Sequence, residues 1–365
     1  MKIRNLTVKS LHWDLDPPLS NPVLTWYKKE VVLAFIETDT GLTGVGEGWV
    51  AGGTARALAA TLEDDIAPVV VGRDPRHIAA IWEDMDFSRS INARPGLIRA
   101  AMSAVDMALW DVLAQHAGLP LYQLLGGHSD HACVYASAGL YGKDKSVSDL
   151  AEEMSGYIAR GFTSAKMKVG GAPLDVDVER IKAAREAIGP GHRLMIDAVC
   201  GMTTHDALAL AERIRPFDIY FFEQPVAAYD YDGMAVINAR SGIPVAGNEN
   251  FIDQREFHEL LVRRSVTFTQ FDLAICGGIT EGLRIAATAR PWYSPTTIHS
   301  AGSIVCMAAS LHTAAALSNC ESVEYHMLHR WLFDRAPDGF LAVEDSRIRL
   351  SDRPGLGLDL NPDDF

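Results

Sequence analysis

From Cys133 onward the chain alternates short apolar runs with amphipathic stretches, joined by connections of a few residues. That alternation constrains the fold more than any other feature, because it is the pattern of repeated strand–helix units. Strands are expected at 133–139, 164–169, 193–197, 219–223, 244–249, 266–272, 296–299 and 322–325, with seven helices between them. Eight parallel strands close most simply into a barrel, whereas an open doubly wound sheet usually has fewer strands and a glycine-rich phosphate loop after the first. No GxGxxG is present.

Residues 1–130 have a different texture. Short strands are expected at 2–8, 30–37 and 43–49, followed by helices at 54–66, 75–85 and 97–116. The last helix carries Ala100, Ala101, Ala104 and Ala108, small residues that imply close packing, and it stops at Gly118 and Pro120. Beyond His326 the period is lost, and the tail at Pro354-Gly355-Leu356-Gly357 is expected to return to the first domain. The predicted organisation is therefore an α+β domain, 1–130 plus about 340–365, and a barrel domain, 131–339.

The 365 residues include 33 basic and 47 acidic side chains, a net charge of −14. Such a balance argues against nucleic acid or an anionic membrane as a partner. An anionic substrate would need locally placed cations or a metal. Five cysteines (Cys133, Cys200, Cys276, Cys306 and Cys320), an odd number without a CxxC pair, point to a reducing compartment. The opening MKIRNLTVKSLHWDLD lacks an apolar signal core, and no apolar run is long enough to span a bilayer, so the cytoplasm is the expected location.

Chemistry in a barrel gathers where its strands end. Strand two carries Lys166 and Lys168, and the later strands end at Asp197, Glu223, Glu249, Asp272, His299 and, near the end of strand eight, Glu324. Converging buried charges require a metal, a partner or a substrate. Asp197, Glu223 and Glu249 are evenly spaced at 26 residues, about one strand–helix unit, so successive strands set three carboxylates side by side. One such acid alone is more simply a helix cap. Three in register call for a hard divalent cation, and Mg²⁺ suits an all-oxygen set completed by water and substrate.

In Lys166-Met167-Lys168, period two turns both ammonium groups to the barrel interior. Like charge, a nearby cation and partial burial depress a lysine pKa, which would make one of them a neutral base. Asp272 and His299 end neighbouring strands, where a carboxylate can hold one ring nitrogen and orient the other. His205, His312 and His326 have no comparable partner and are read as structural. Glu321 competes with Glu324, whose VEY setting is more strand-like. Asn250 is a candidate substrate contact or a support for Glu249.

In combination, KMK, LMID, FFEQP, AGNEN, QFDLAICGGITEG, TIHS and VEYH resemble the enolase superfamily, specifically its mandelate racemase-like subgroup, over nearly the whole chain. The resemblance implies a modified (β/α)7β TIM-type barrel with an α+β capping domain. It also implies Mg²⁺-assisted removal of a proton α to a carboxylate, the pattern known for enolase-superfamily sites. By similarity, Lys168 is the base on one face, Lys166 its electrostatic neighbour and a carboxylate contact, and His299 with Asp272 the acid or base on the other face. Glu324, in protonated form, would hydrogen-bond a carboxylate oxygen. The chain departs at Val199, where the family often has Asn. A homo-oligomer is expected from the family alone.

Bases on both faces permit racemisation or β-elimination. By resemblance, Lys-x-Lys with His-Asp is mostly the pattern of aldonate or aldarate dehydratases, so the expected reaction turns an acid sugar into a 2-keto-3-deoxy acid. A racemase, epimerase or cycloisomerase of a carboxylate is the alternative. Neither a Schiff-base aldolase nor a non-catalytic barrel accounts for three acids in register. Specificity is expected in loops 14–26 and 47–53, where Trp49 either lines a lid or packs.

Overall fold

The computed structural model describes residues 1–50, 52–89 and 96–365, so the expected loop 47–53 is described except for Ala51. The barrel strands are β4 (His131–Ala138), β5 (Ser164–Lys168), β6 (Arg193–Asp197), β7 (Ile219–Glu223), β8 (Val245–Gly247), β9 (Phe268–Asp272), β10 (Thr296–His299) and β11 (Cys320–His326). Each is parallel to the next, and β11 pairs back onto β4 to close the ring. Five of the helices between them open on Ser146, Thr203, Asp230, Asp253 and Ser303, whose side chains accept backbone N–H groups of the first turn. Short polar residues there satisfy amides that the helix itself cannot, so each strand-to-helix turn has a defined start.

Strand five is shorter than expected. It ends at Gly247, and Glu249 lies beyond it. Asn248 explains the early stop: its side chain bonds to Gln224 and donates to Ala228 O at 2.9 Å, anchoring the segment that leads to Glu249.

In the N-terminal part, β1 (Ile3–Ser20) and β2 (Thr25–Thr38) form one long antiparallel hairpin, with β3 (Thr43–Gly48) beside β2. The expected loop 14–26 is therefore mostly strand. Pro17 and Pro18 do not break it because the register shifts between Asp14 and Leu19, where the ladder is interrupted. Glycines in β3 permit an unusually close layer: a Cβ on Gly46 would lie 1.9 Å from Ala104 O, and one on Gly44 2.2 Å from Ala108 O. The alanine face of the helix Leu97–Ala117 thus rests directly on the strand backbone. That helix ends where expected, with Gly118 in the left-handed conformation.

The tail returns, as expected, to the N-terminal part: Leu356 N donates to Asp111 Oδ1 at 2.8 Å. It also adds a short strand, β12 (Arg347–Arg349), antiparallel to β4. No helix among the described residues is long and apolar enough to cross a membrane.

Candidate active site

The barrel interior has two tiers. The lower is apolar and built from Tyr135, Met195, Phe221, Ala246 and Phe268. Two residues further along their strands, Asp197 and Glu223 face the same interior, because alternate residues share a face. Lys166 Nζ lies 2.6 Å from Glu223 Oε2, 3.1 Å from Glu324 Oε1 and 3.4 Å from Asp197 Oδ2. Lys168 donates to Asp197 Oδ2. His299 Nδ1 is 2.6 Å from Asp272 Oδ2, and its Nε2 stands 3.3 Å from Glu249 and 3.5 Å from Glu324. Asp272 is itself held by the N–H of Ala274 at 2.6 Å.

Eight of the nine residues singled out in the sequence therefore converge. Asn250 does not join them: it is exposed, and its amide points to Cys200 Sγ at 3.8 Å. Glu321 also lies apart, paired with Arg193 at 2.7 Å. Val199, at the departure from the family pattern, has φ 49° and donates its N–H to Asp197 Oδ1 at 2.8 Å. The backbone N–H there holds the aspartate.

The electrostatics correct two expectations. Burial alone would lower the Lys168 pKa, but Asp197 beside it raises it, and Glu223 and Glu324 do the same for Lys166. The shifts run opposite to the expected lowering, because each amine is paired with acid rather than crowded by cations. For Glu324 the shift also runs against the expected protonated form: burial pushes it up, yet Lys166, His299 and Lys168 hold it well below the usual carboxylate range. His299, despite burial, is pushed up to about 10 by Glu249, Glu324 and Asp272. Burial and Asp197 raise Glu223, and burial raises Glu249. Most of the cluster binds protons tightly, the mark of surplus negative charge.

Among the described residues, no three His, Cys, Asp or Glu side chains form a ready metal cage. Lys166 instead bridges Asp197 and Glu223. The donor set nonetheless fits a hard cation. Its atoms are carboxylate oxygens, Glu223 Oε1 and Glu249 Oε2 are buried without a hydrogen bond, and the acids outnumber the amines and imidazole facing them.

Sequence reasoning named Trp49 in the N-terminal part but missed the role of Glu47. Glu47, buried at the end of β3, accepts from Ser303 N at 2.9 and 3.0 Å, Ser303 Oγ at 2.6 Å and Cys306 N at 3.1 Å. It clamps the helix that follows His299. Trp49 sets its ring edge to His299, with centroids 5.9 Å apart and planes at 68°. A Glu at the end of a glycine-rich strand carries no local signal for such a contact.

Two family models cover nearly all of the chain: "Mandelate racemase / muconate lactonizing enzyme, N-terminal domain" over residues 3–126 and "Enolase C-terminal domain-like" over 149–364. The chain belongs to the enolase superfamily. Its mandelate racemase-like relatives differ in reaction. Arabinonate dehydratase of Saccharolobus solfataricus is 32% identical over 92% of this chain and 89% of its own. D-galactarolactone cycloisomerase of Agrobacterium fabrum is 33% identical over 100% of this chain and 97% of its own. A racemase from Streptomyces coelicolor, solved with bound magnesium, matches with a TM-score of 0.91 and 30% identity over 98% of this chain and 97% of that one. In this enolase-superfamily chain the closed barrel with its antiparallel cap is the fold that the resemblance implied.

Proposed function

We propose that the protein removes the proton α to the carboxylate of an acid sugar, an aldonate or aldarate, and eliminates the β-hydroxyl to give a 2-keto-3-deoxy acid. The observation that carries this function is that Lys168 and the His299–Asp272 pair reach the same carboxylate cluster from different strands of one barrel. Two proton-handling groups can then serve one substrate. A proton α to a carboxylate is too weakly acidic for a side-chain base unless the developing charge is stabilised. Asp197, Glu223 and Glu249 would hold Mg²⁺, which when bound supplies that stabilisation as a Lewis acid.

Lys168 Nζ takes the α-proton. Asp197 is the main influence raising its pKa, so neutralising that carboxylate lowers the pKa and frees the amine as a base. Lys166, held between Glu223 and Glu324, orients the substrate carboxylate. His299, fixed through Nδ1 by Asp272, delivers a proton from Nε2 to the departing hydroxyl, which leaves as water. The enol product tautomerises to the keto acid. Residues 1–130 with about 340–365 act as the capping domain and 131–339 as the catalytic domain.

Cycloisomerisation, racemisation or epimerisation is the second possibility, favoured by the full-length similarity to D-galactarolactone cycloisomerase. An acid-sugar library incubated with Mg²⁺ in D₂O separates them. Semicarbazide-reactive keto acid supports dehydration. Recovery of an isomer deuterated at Cα, without keto acid, overturns dehydration in favour of the second possibility.

A further inference from the structure

Two hydrogen-bond donors over the site have no part in the proton chemistry. Lys29, in the middle of β2, is 5% exposed, and its ammonium lies 5.0 Å from the centroid of the Trp49 ring whose edge meets His299. Among the described residues nothing accepts a hydrogen bond from it and no carboxylate lies within ion-pair distance. Its natural partner, Glu47, has both oxygens engaged by Ser303, and Oε2 also accepts from Cys306. Burial lowers the Lys29 pKa to about 8 against the opposing influence of Glu47, Asp272 and Cys306, so the amine stays largely charged near neutral pH. A buried ammonium with unused N–H groups is costly unless something else accepts from it.

His326, two residues past Glu324 on β11, is likewise buried. Its Nδ1 accepts the backbone N–H of Leu328 and of His329, each at 3.2 Å, which places the ring proton on Nε2. No described residue accepts from Nε2, and the charges nearest the ring include Lys168, Lys166, His299 and Lys29. It is thus a neutral donor within the electrostatic reach of the site's lysines, His299 and Lys29, rather than the purely structural histidine its sequence setting implied.

We propose that Lys29 and His326 form a subsite for the end of the substrate remote from the reacting carboxylate, and that the ammonium makes a second carboxylate the preferred group there. The substrate class is then a diacid of the aldarate type. A carboxylate forms a charge-assisted bond to an ammonium, stronger than a hydroxyl forms at the same place. This inference rests on the proposed α-proton chemistry.

The test follows loss of the substrate α-proton signal in D₂O by NMR, through exchange or elimination, with Mg²⁺, for pairs of six-carbon aldarates and aldonates of the same configuration. Wild-type protein is expected to favour the diacid by about 10- to 100-fold in kcat/KM, the equivalent of one charged hydrogen bond. Lys29→Met should erase the preference, mainly through KM on the diacid, and Lys29→Arg should keep part of it. His326→Phe should raise KM for both classes. A wild-type preference for the monoacid, or one that survives Lys29→Met, overturns the subsite while leaving the α-proton chemistry intact. If no acid of either class loses its α-proton, by exchange or by elimination, that chemistry falls and the subsite with it. A wild-type preference for the monoacid overturns the subsite even if the methionine variant fails to fold.

Discussion

The lower and upper tiers of the barrel interior are opposite in kind, although on β6 and β7 they lie only two residues apart, Met195 below Asp197 and Phe221 below Glu223. In the lower, aromatic rings meet edge to face or tilted: Tyr135 and Phe221 at 6.0 Å and 85°, Phe221 and Phe268 at 5.6 Å and 52°. Burying such a side chain contributes about 1.5–3 kcal/mol. In the upper tier, acids crowd around two lysines and a histidine, with oxygens of Glu223, Glu249 and Glu324 left without hydrogen bonds. Lys166 joins the two, its ammonium 5.3 Å from the Tyr135 ring. The difference teaches that packing in one layer supports the strain of unpaired charge in the next, so stability and chemistry should separate by tier.

The largest expected effect is in the upper tier. Lys168→Ala should lower the rate of α-proton removal by about 10²–10⁴-fold, the usual worth of a general base, in protein that remains folded with Mg²⁺ present. Loss of folding instead would erase the distinction. In the lower tier, Phe221→Ala should cost about 3–5 kcal/mol in denaturant unfolding, while the protein that remains folded keeps its turnover. A collapse of turnover at full stability would show that the tiers are not separable.

Metal gives a third, smaller contrast. Mg²⁺ at a hundred times its dissociation constant should add about 2.7 kcal/mol of stability. Glu223→Gln should abolish that gain, and Phe221→Ala should preserve it. If calorimetry finds the same gain in the Glu223 variant, the three carboxylates do not hold the ion.

The smallest effect lies outside both tiers. His312, on the helix Ile304–Ala316, accepts the N–H of Tyr122 at 3.1 Å, and burial lowers its pKa to about 4. The unfolded chain takes up this proton first, so stability should fall as pH drops from about 6.5 towards the folded-state pKa. Denaturant midpoints across that window should flatten in His312→Gln. An unchanged slope would show that His312 does not contribute to it.

The upper tier was largely legible because an apolar run ending on a charge is a local pattern, and period two states which charges share a face. Lys166, Lys168, Asp197, Glu223, Asp272, His299 and Glu324 all follow from that rule. Glu249 converges for another reason, since Asn248 and not the strand anchors the approach to it. The lysine pKa shifts were misread in direction, because they depend on which carboxylate each amine meets. Glu47 was invisible: it meets Ser303 across 256 positions of chain, and no periodicity encodes a contact made when two layers dock.

By itself the sequence determined the alternation of strands and helices, the closure of the ring and the identity of its charged rim, since these follow from backbone period and the cost of burying charge. Only the tertiary structure decided which acid each amine pairs with, how the hairpin from Ile3 to Thr38 lies over the rim, and where Lys29 and His326 stand. Those outcomes depend on surfaces brought together from distant parts of the chain. Their electrostatic consequences vary with ångström distances that residue order does not contain.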